Sequence, residues 1–121
     1  MKASAIKVLL VDDHRIILDG LSALLRSEPD IEVVAEAEEG LAAVRLASEL
    51  SPDVVVIDIA MPELDGIDAT RQIKGRNPHA IVIALSARTD AQSALQILEA
   101  GATGYLSKNA AFSQLNHRPR S

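Results

Sequence analysis

The chain has no cysteine and no tryptophan, and its 121 residues include a single tyrosine and a single phenylalanine. Without cysteine there are no disulfides and no thiolate metal sites. With aromatics so scarce, a core must be built from Val, Ile, Leu and Ala, within an apolar fraction of 48%. No apolar run approaches the ~18 residues of a membrane span. Residues 1–4 are too few for the charged and apolar regions of a signal peptide, so a cytoplasmic location without a membrane partner is expected. Basic residues are also in deficit, with 12 Lys and Arg against 17 Asp and Glu and a net charge of −5. Nucleic-acid-binding surfaces are normally basic, so this balance argues against direct nucleic-acid binding. It suits a protein that concentrates a divalent cation. The length is that of one compact domain with one sizeable core.

What is present is an alternation of short apolar runs and helical stretches. Residues 6–11 are apolar except Lys7 and lead into Asp12 and Asp13, which predicts a buried strand. Residues 14–27 predict a helix with Ile17, Leu21, Leu24 and Leu25 on one face and Asp13 as N-cap. Pro29 and Asp30 break it. Residues 31–37 read as a strand, and Glu32 and Glu36 place it near a sheet edge. A second helix over 40–50 turns Ala43, Val44, Ala47 and Leu50 inward and stops at Pro52. Residues 53–59 contain Val54, Val55, Val56 and Ile57, a run suited to a central strand covered on both faces. A loop over 61–66 and a short helix over 67–75 follow, ended by Gly75, Asn77 and Pro78. Residues 81–85 give a fourth strand. Residues 89–100 give a helix with Ala91, Leu95 and Leu98 on one face and Gly101 as its stop. Residues 104–106 give a fifth, short strand.

Five strands separated by helices imply parallel pairing through right-handed crossovers. The expected fold is α/β, a three-layer α/β/α sandwich of flavodoxin-like type with strand order 2-1-3-4-5. Beyond Lys108, a fifth helix has only residues 109–118 to draw on. Phe112 and Leu115 are its only sizeable apolar residues and Pro119 limits it, so it is expected to be short or truncated. The domain is placed at residues 5–115, with 116–121 as a tail or the start of a linker.

In such a fold, ligands gather at the carboxyl ends of the strands, near the switch in strand order. Those ends carry Asp12 and Asp13, then Asp58, Ser86 and Lys108. Alone, each has an ordinary explanation: a helix cap, a polar strand end, a solvated surface charge. Their joint placement is not explained that way. Three carboxylates in one crevice repel each other, and a hard divalent cation such as Mg²⁺ removes the conflict. A carboxylate exposed there can act as a nucleophile on phosphorus, with metal and ammonium stabilising the phosphoryl oxygens. The Ser86 hydroxyl can donate to one of those oxygens.

In this order these residues resemble the receiver domain of two-component response regulators. The segment Val8-Leu9-Leu10-Val11-Asp12-Asp13-His14 is similar to the family's acidic first loop. The segment from Val55 through Asp58 to Gly66 is similar to its phosphoacceptor stretch. Ala84-Leu85-Ser86-Ala87 and residues 101–108, ending Tyr105-Leu106-Ser107-Lys108, match its last two signatures. Asp12-Asp13-His14, residues 32–37 and residues 101–108 look most like the NarL/FixJ subgroup, whose output is a LuxR-type helix-turn-helix. The resemblance implies a CheY-like fold and phosphoryl acceptance at Asp58 from a sensor histidine kinase or a small donor such as acetyl phosphate. It implies Mg²⁺, or Mn²⁺ in its place, on Asp13, Asp58 and the backbone carbonyl of Ala60, with Asp12 acting mainly through a water. It implies that Lys108 pairs with the phosphoryl group, that Ser86 moves to bond it, and that Tyr105 swings in behind. The face formed by the fourth helix, fifth strand and fifth helix would then change its partner preference, with homodimerisation on phosphorylation as one outcome.

Two features depart from the family pattern. Asn109 stands where many receivers have proline, so a cis bond is not expected there. The fifth helix is poorly supplied, which puts output and dimerisation through it in doubt. Ala60 and Arg88 flank the attack site and should tune hydrolysis of the acyl phosphate. Other readings remain. A Mg²⁺-dependent aspartyl-phosphate phosphatase usually has an acid two residues after its nucleophile, and Ala60 stands there. A pseudo-receiver would not need all of Asp12, Asp13, Asp58, Ser86 and Lys108. The chain is thus expected to be a phosphoacceptor that promotes its own phosphorylation and dephosphorylation, not an enzyme acting on a separate substrate. Any DNA contact would come through an output domain outside this sequence; a stand-alone receiver acting by protein contact is the alternative.

Overall fold

Five strands, four of them rich in Val, Ile and Leu, lie side by side in a computed structural model that describes residues 5–61, 64–86 and 91–108. The elements alternate as β1 (Ile6–Val11), α1 (Arg15–Arg26), β2 (Ile31–Ala37), α2 (Gly40–Leu50), β3 (Val54–Asp58), α3 (Gly66–Arg76), β4 (Ile81–Ser86), α4 (Ala91–Glu99) and β5 (Gly104–Ser107). All pairings are parallel and the order is β2-β1-β3-β4-β5, as the crossover argument requires. The fold is the flavodoxin-like, CheY-like α/β/α sandwich. The segment 109–118 proposed as a fifth helix, the tail 116–121, and Arg88 lie outside the described residues. Among the described residues, no helix is long and apolar enough to cross a membrane.

Strand alternation divides the core into two layers. Leu9 and Val11, Val55 and Ile57, and Val82 and Ala84 point to one side, with Ala43, Val44, Ala47, Ala69, Ile73 and Ile97. Val8, Leu10 and Leu85 point to the other, with Leu18 and Leu21 of α1, and Val54 and Val56 pack against them. At β2 the alternation slips. The register runs Val8↔Val33 and then Leu9↔Ala35, leaving Val34 as a bulge. Before it, Val33 belongs to the α1 layer. After it, Ala37 belongs to the opposite layer and Ala35 packs there too. Glu36 is thereby turned to the α1 side, where Arg15 pairs with it, with Glu38 at 3.0 Å and with Asp19 at 3.0 Å.

Several local expectations need correction. The N-cap of α1 is His14, not Asp13, because the carboxylate of Asp12 already accepts the His14 N–H at 2.9 Å. The innermost residue of α1 is Leu18, fully buried, while Leu24 is only partly covered. On α2 the buried stripe of Gly40, Ala43, Val44 and Ala47 ends a turn before the helix does, leaving Leu50 exposed. Helix α3 runs through Gly75, which faces open space and so costs only helix propensity, and it ends at Asn77. On α4 the leucine stripe faces outward: Leu95 and Leu98 are exposed, and Ile97 with Ala100 is buried instead. Two stripes compete on that helix, and the less bulky one lies against the sheet. Gly101 ends the segment as expected, with φ of 116°, a left-handed conformation that suits glycine.

Candidate functional site

The alternation that builds the core also delivers the site. Asp12 continues the Val8, Leu10 side of β1, and Asp58 continues the Val54, Val56 side of β3. Val11 is the register partner of Ile57, so the next residues on the two strands, Asp12 and Asp58, end side by side. Asp12 is pinned by its N–H, which donates to the carbonyl of Ala37 at 3.0 Å. Both carboxylates are withdrawn from solvent, with Asp12 at 0% and Asp58 at 2% exposure.

Lys108, just past β5, is also buried and reaches across the end of β4. Its Nζ lies 2.9 Å from Asp12 Oδ2 and 3.4 Å from Asp58 Oδ2. The ammonium favours the ionised form of Asp58 and so lowers its pKa, and so does the Ala60 N–H, which donates to Asp58 Oδ1 at 3.3 Å. Neither wins. Loss of water and the neighbouring Asp12 charge hold the Asp58 carboxyl up at about 6, against an ordinary 3.8. Asp13 follows in the same loop and is partly exposed.

Glycine sets the back wall. A Cβ on Gly66 would lie 2.3 Å from the Asp58 carbonyl oxygen, so α3 can start directly behind the acid only with glycine there. The Gly66 N–H donates to Ile59 O at 2.8 Å, and Asp65 caps the helix by accepting the Asp68 N–H at 2.9 Å. Gly40 makes a similar close approach to the backbone of Leu64, tying the start of α2 to the loop that follows β3.

The remaining predicted residues are placed less tightly. Ser86 ends β4, one position past Leu85, the register partner of Asp58, and it pairs with Ser107 of β5. Tyr105 pairs with Ala84 and packs, half-buried, against the core layer formed by α2 and α3. Ala60 is exposed at the mouth of the loop. The structure therefore brings Asp12, Asp13, Asp58 and Lys108 together and sets Ser86 and Tyr105 on the adjoining strands. It adds His14, to which the sequence reading gave no role. The His14 Nδ1 lies 2.9 Å from Asp12 Oδ1 and 3.2 Å from Asp13 Oδ1. The only signal in the sequence was its place directly after the two acids.

A divalent cation fits this donor set. Buried oxygens Asp12 Oδ2, Asp13 Oδ1 and Asp58 Oδ2 accept no hydrogen bond, and the approach of Lys108 to Asp12 is an ion pair without hydrogen-bond alignment. Buried carboxylate oxygens left so are costly unless something else satisfies them. One donor atom from each of Asp12, Asp13, His14 and Asp58 can be chosen so that all lie within 4.8 Å of one another. Three carboxylates against one ammonium also leave a deficit of two positive charges, which a divalent ion would supply.

Comparison with known proteins points one way. The family model described as the response regulator receiver domain matches residues 8–120. The transcriptional regulatory protein LiaR of Bacillus subtilis is 44% identical over 110 residues, covering 91% of this chain and 52% of LiaR. The transcriptional regulatory protein DegU of Brevibacillus brevis is 40% identical over 103 residues, covering 85% of this chain and 44% of DegU. The chain thus spans about half the length of these curated relatives. Among solved structures, the signal receiver domain of the response regulator NarL from Mycobacterium tuberculosis superposes with a TM-score of 0.88 at 28% identity, covering 93% of this chain and 91% of that one. A LuxR-family two-component response regulator from Aurantimonas sp. SI85-9A1 gives 0.87 at 37% identity, with coverage of 93% and 81%.

Proposed function

The chain belongs to the response regulator receiver domain family, and on that premise we propose that Asp58 accepts a phosphoryl group from a sensor histidine kinase or a small acyl phosphate. One observation carries the reading: a buried Asp58 beside Asp12, with Lys108 shared between them and carboxylate oxygens left without hydrogen bonds. A carboxylate oxygen of Asp58 attacks phosphorus, the new P–O bond forms, and the donor's imidazole nitrogen or carboxylate oxygen leaves with the electron pair of the broken bond. The burial that raises the Asp58 carboxyl to about 6 still leaves it ionised near neutral pH, when it can act as a nucleophile. Lys108 gives its ammonium to a phosphoryl oxygen. Ser86 adds a hydroxyl donor from the neighbouring strand end, and Tyr105 follows into the space behind it.

Mg²⁺, with Mn²⁺ able to substitute, would be held by Asp13, Asp58 and the carbonyl of Ala60, with Asp12 acting through a water, and would supply positive charge against the phosphoryl oxygens. Phosphorylation replaces a group of charge −1 with one nearer −2 and adds acceptor oxygens. That change biases an existing equilibrium of the α4–β5 face and its continuation, altering affinity for an output domain or for a second copy of the chain. The relatives described as transcriptional regulatory proteins support a DNA-binding output outside this sequence and a cytoplasmic role for the whole protein. The receiver is assigned to residues 5–115, with 116–121 as a tail or linker.

Incubation with acetyl phosphate and Mg²⁺, followed by intact-mass and peptide analysis, is expected to add one phosphoryl group at Asp58. Omission of the metal should abolish the addition. An Asp58→Asn variant labelled at the wild-type rate would show that the acceptor lies elsewhere.

A further inference from the structure

His14 is absent from the set assigned above, yet its ring enters the same cluster. Its backbone N–H donates to Asp12 Oδ1 at 2.9 Å, and its Nδ1 returns to the same oxygen at 2.9 Å. The same nitrogen is 3.2 Å from Asp13 Oδ1 and 3.4 Å from Lys108 Nζ. Donors sharing one small divalent ion, with bonds of about 2.1 Å, lie roughly 3.0–3.4 Å apart. The imidazole nitrogen thus already stands from Asp13 Oδ1, at 3.2 Å, at about the spacing of neighbouring ligands on one ion.

We propose that His14 is a nitrogen ligand at this site, so that the site prefers transition-metal dications to Mg²⁺. The proposal rests on the reading of Asp12, Asp13 and Asp58 as a cation site. It adds a different donor chemistry. Asp12 Oδ2 and Asp58 Oδ2 of the same cluster are almost fully buried and accept no hydrogen bond, and they share a single ammonium, that of Lys108, between them.

Mg²⁺ takes hard oxygen donors and gains little from imidazole, whereas affinity for first-row ions at mixed nitrogen and oxygen sites rises from Mn²⁺ towards Cu²⁺. The His14 side chain is 62% exposed, so its ring has room to turn away. Mg²⁺ is then held by oxygens alone, and a softer ion draws the ring in. The simpler role, a hydrogen bond from the ring to Asp12, predicts no loss selective for Co²⁺ when the ring is removed.

The test uses the full chain. Mg²⁺ and Co²⁺ are titrated separately into the wild type, His14→Ala and His14→Asn, by calorimetry, with the visible d–d absorption of Co²⁺ as a second readout. His14 makes no side-chain cap bond to α1, so both variants should fold. The expected result is a Co²⁺ affinity about 10–100-fold weaker in both variants, the range commonly lost when a group supporting a metal is removed. The Co²⁺ band should shift on loss of the nitrogen donor, while Mg²⁺ affinity changes by less than about twofold, as expected for an ion indifferent to imidazole. Unchanged Co²⁺ affinity and spectrum, or an equal fall for both ions, overturns the proposal. An Asp13→Asn variant tests the underlying carboxylate site through Mg²⁺ alone. If its Mg²⁺ affinity is unaltered, that reading fails while the Co²⁺ comparison still decides the role of His14.

Discussion

Asp58→Asn should make the metal-free protein more stable at neutral pH, and the size of the gain follows from the burial of the carboxylate. The Asp58 carboxyl is held at about 6 against an ordinary 3.8, a net displacement after the attraction of Lys108 has been counted. At about 1.4 kcal/mol per unit, ionising Asp58 in the native state costs up to about 3 kcal/mol more than in the unfolded chain. Below the ordinary carboxylate value both states hold the proton, and the cost is absent. As pH rises through about 6 the native state must give up its proton, and the stability held at lower pH is lost. Asparagine is nearly the same shape, stays neutral throughout and can still accept the Ala60 N–H. In urea denaturation followed by circular dichroism in EDTA, the variant should match the wild type near pH 4. It should exceed it by roughly 2–3 kcal/mol at pH 7.5, or about 10 °C in Tm. Adding Mg²⁺ should reverse the order, because ligand binding stabilises only the state that keeps the site. A variant no more stable than the wild type at pH 7.5, or a gain equally large at pH 4, would refute the claim that a buried, repelled charge sits at residue 58.

Lys108→Met should push the Asp58 carboxyl above about 6, since the ammonium is the largest influence lowering it. Carbon-13 titration of the labelled side chain measures this, and an unmoved value would show that Lys108 is not its electrostatic partner. Gly66→Ala should destabilise the fold by more than about 1 kcal/mol, because its Cβ would lie 2.3 Å from a backbone carbonyl with no flexible side chain to yield. Gly75→Ala, with nothing within 4 Å, should instead stabilise by about 0.5–1 kcal/mol. Chemical denaturation of the two variants decides the contrast, and equal effects would contradict the assigned packing.

Much of this was legible in the chain itself. The run Val54 to Ile57 could only be a strand covered on both faces, and polar residues closing successive strands gave Asp12, Asp58, Ser86 and Lys108. What local pattern could not rank was competition between surfaces. On α4 hydropathy favours Leu95 and Leu98, but the sheet accepts Ile97, and only packing decides between them. On α1 the same ambiguity hid Leu18 behind Leu24. The part His14 plays was equally hidden, since it depends on a ring folding back on the two acids that precede it. The phase of β2 was invisible as well, because Val33 and Val34 are equally apolar and either could face the core.

The extra residue at Val34 also bears on how copies of this protein behave in concentrated solution. Among the described residues β2 is an outermost strand, seven residues set against six of β1, and its outer flank carries backbone groups with no neighbouring strand. A straight flank of that kind is a template on which another chain can polymerise. The kink interrupts the even spacing that a docking strand would need, and acidic Glu32 and Glu36 stand on either side of it. The irregularity that turns Glu36 towards Arg15 thereby also discourages filament growth from this flank of the sheet.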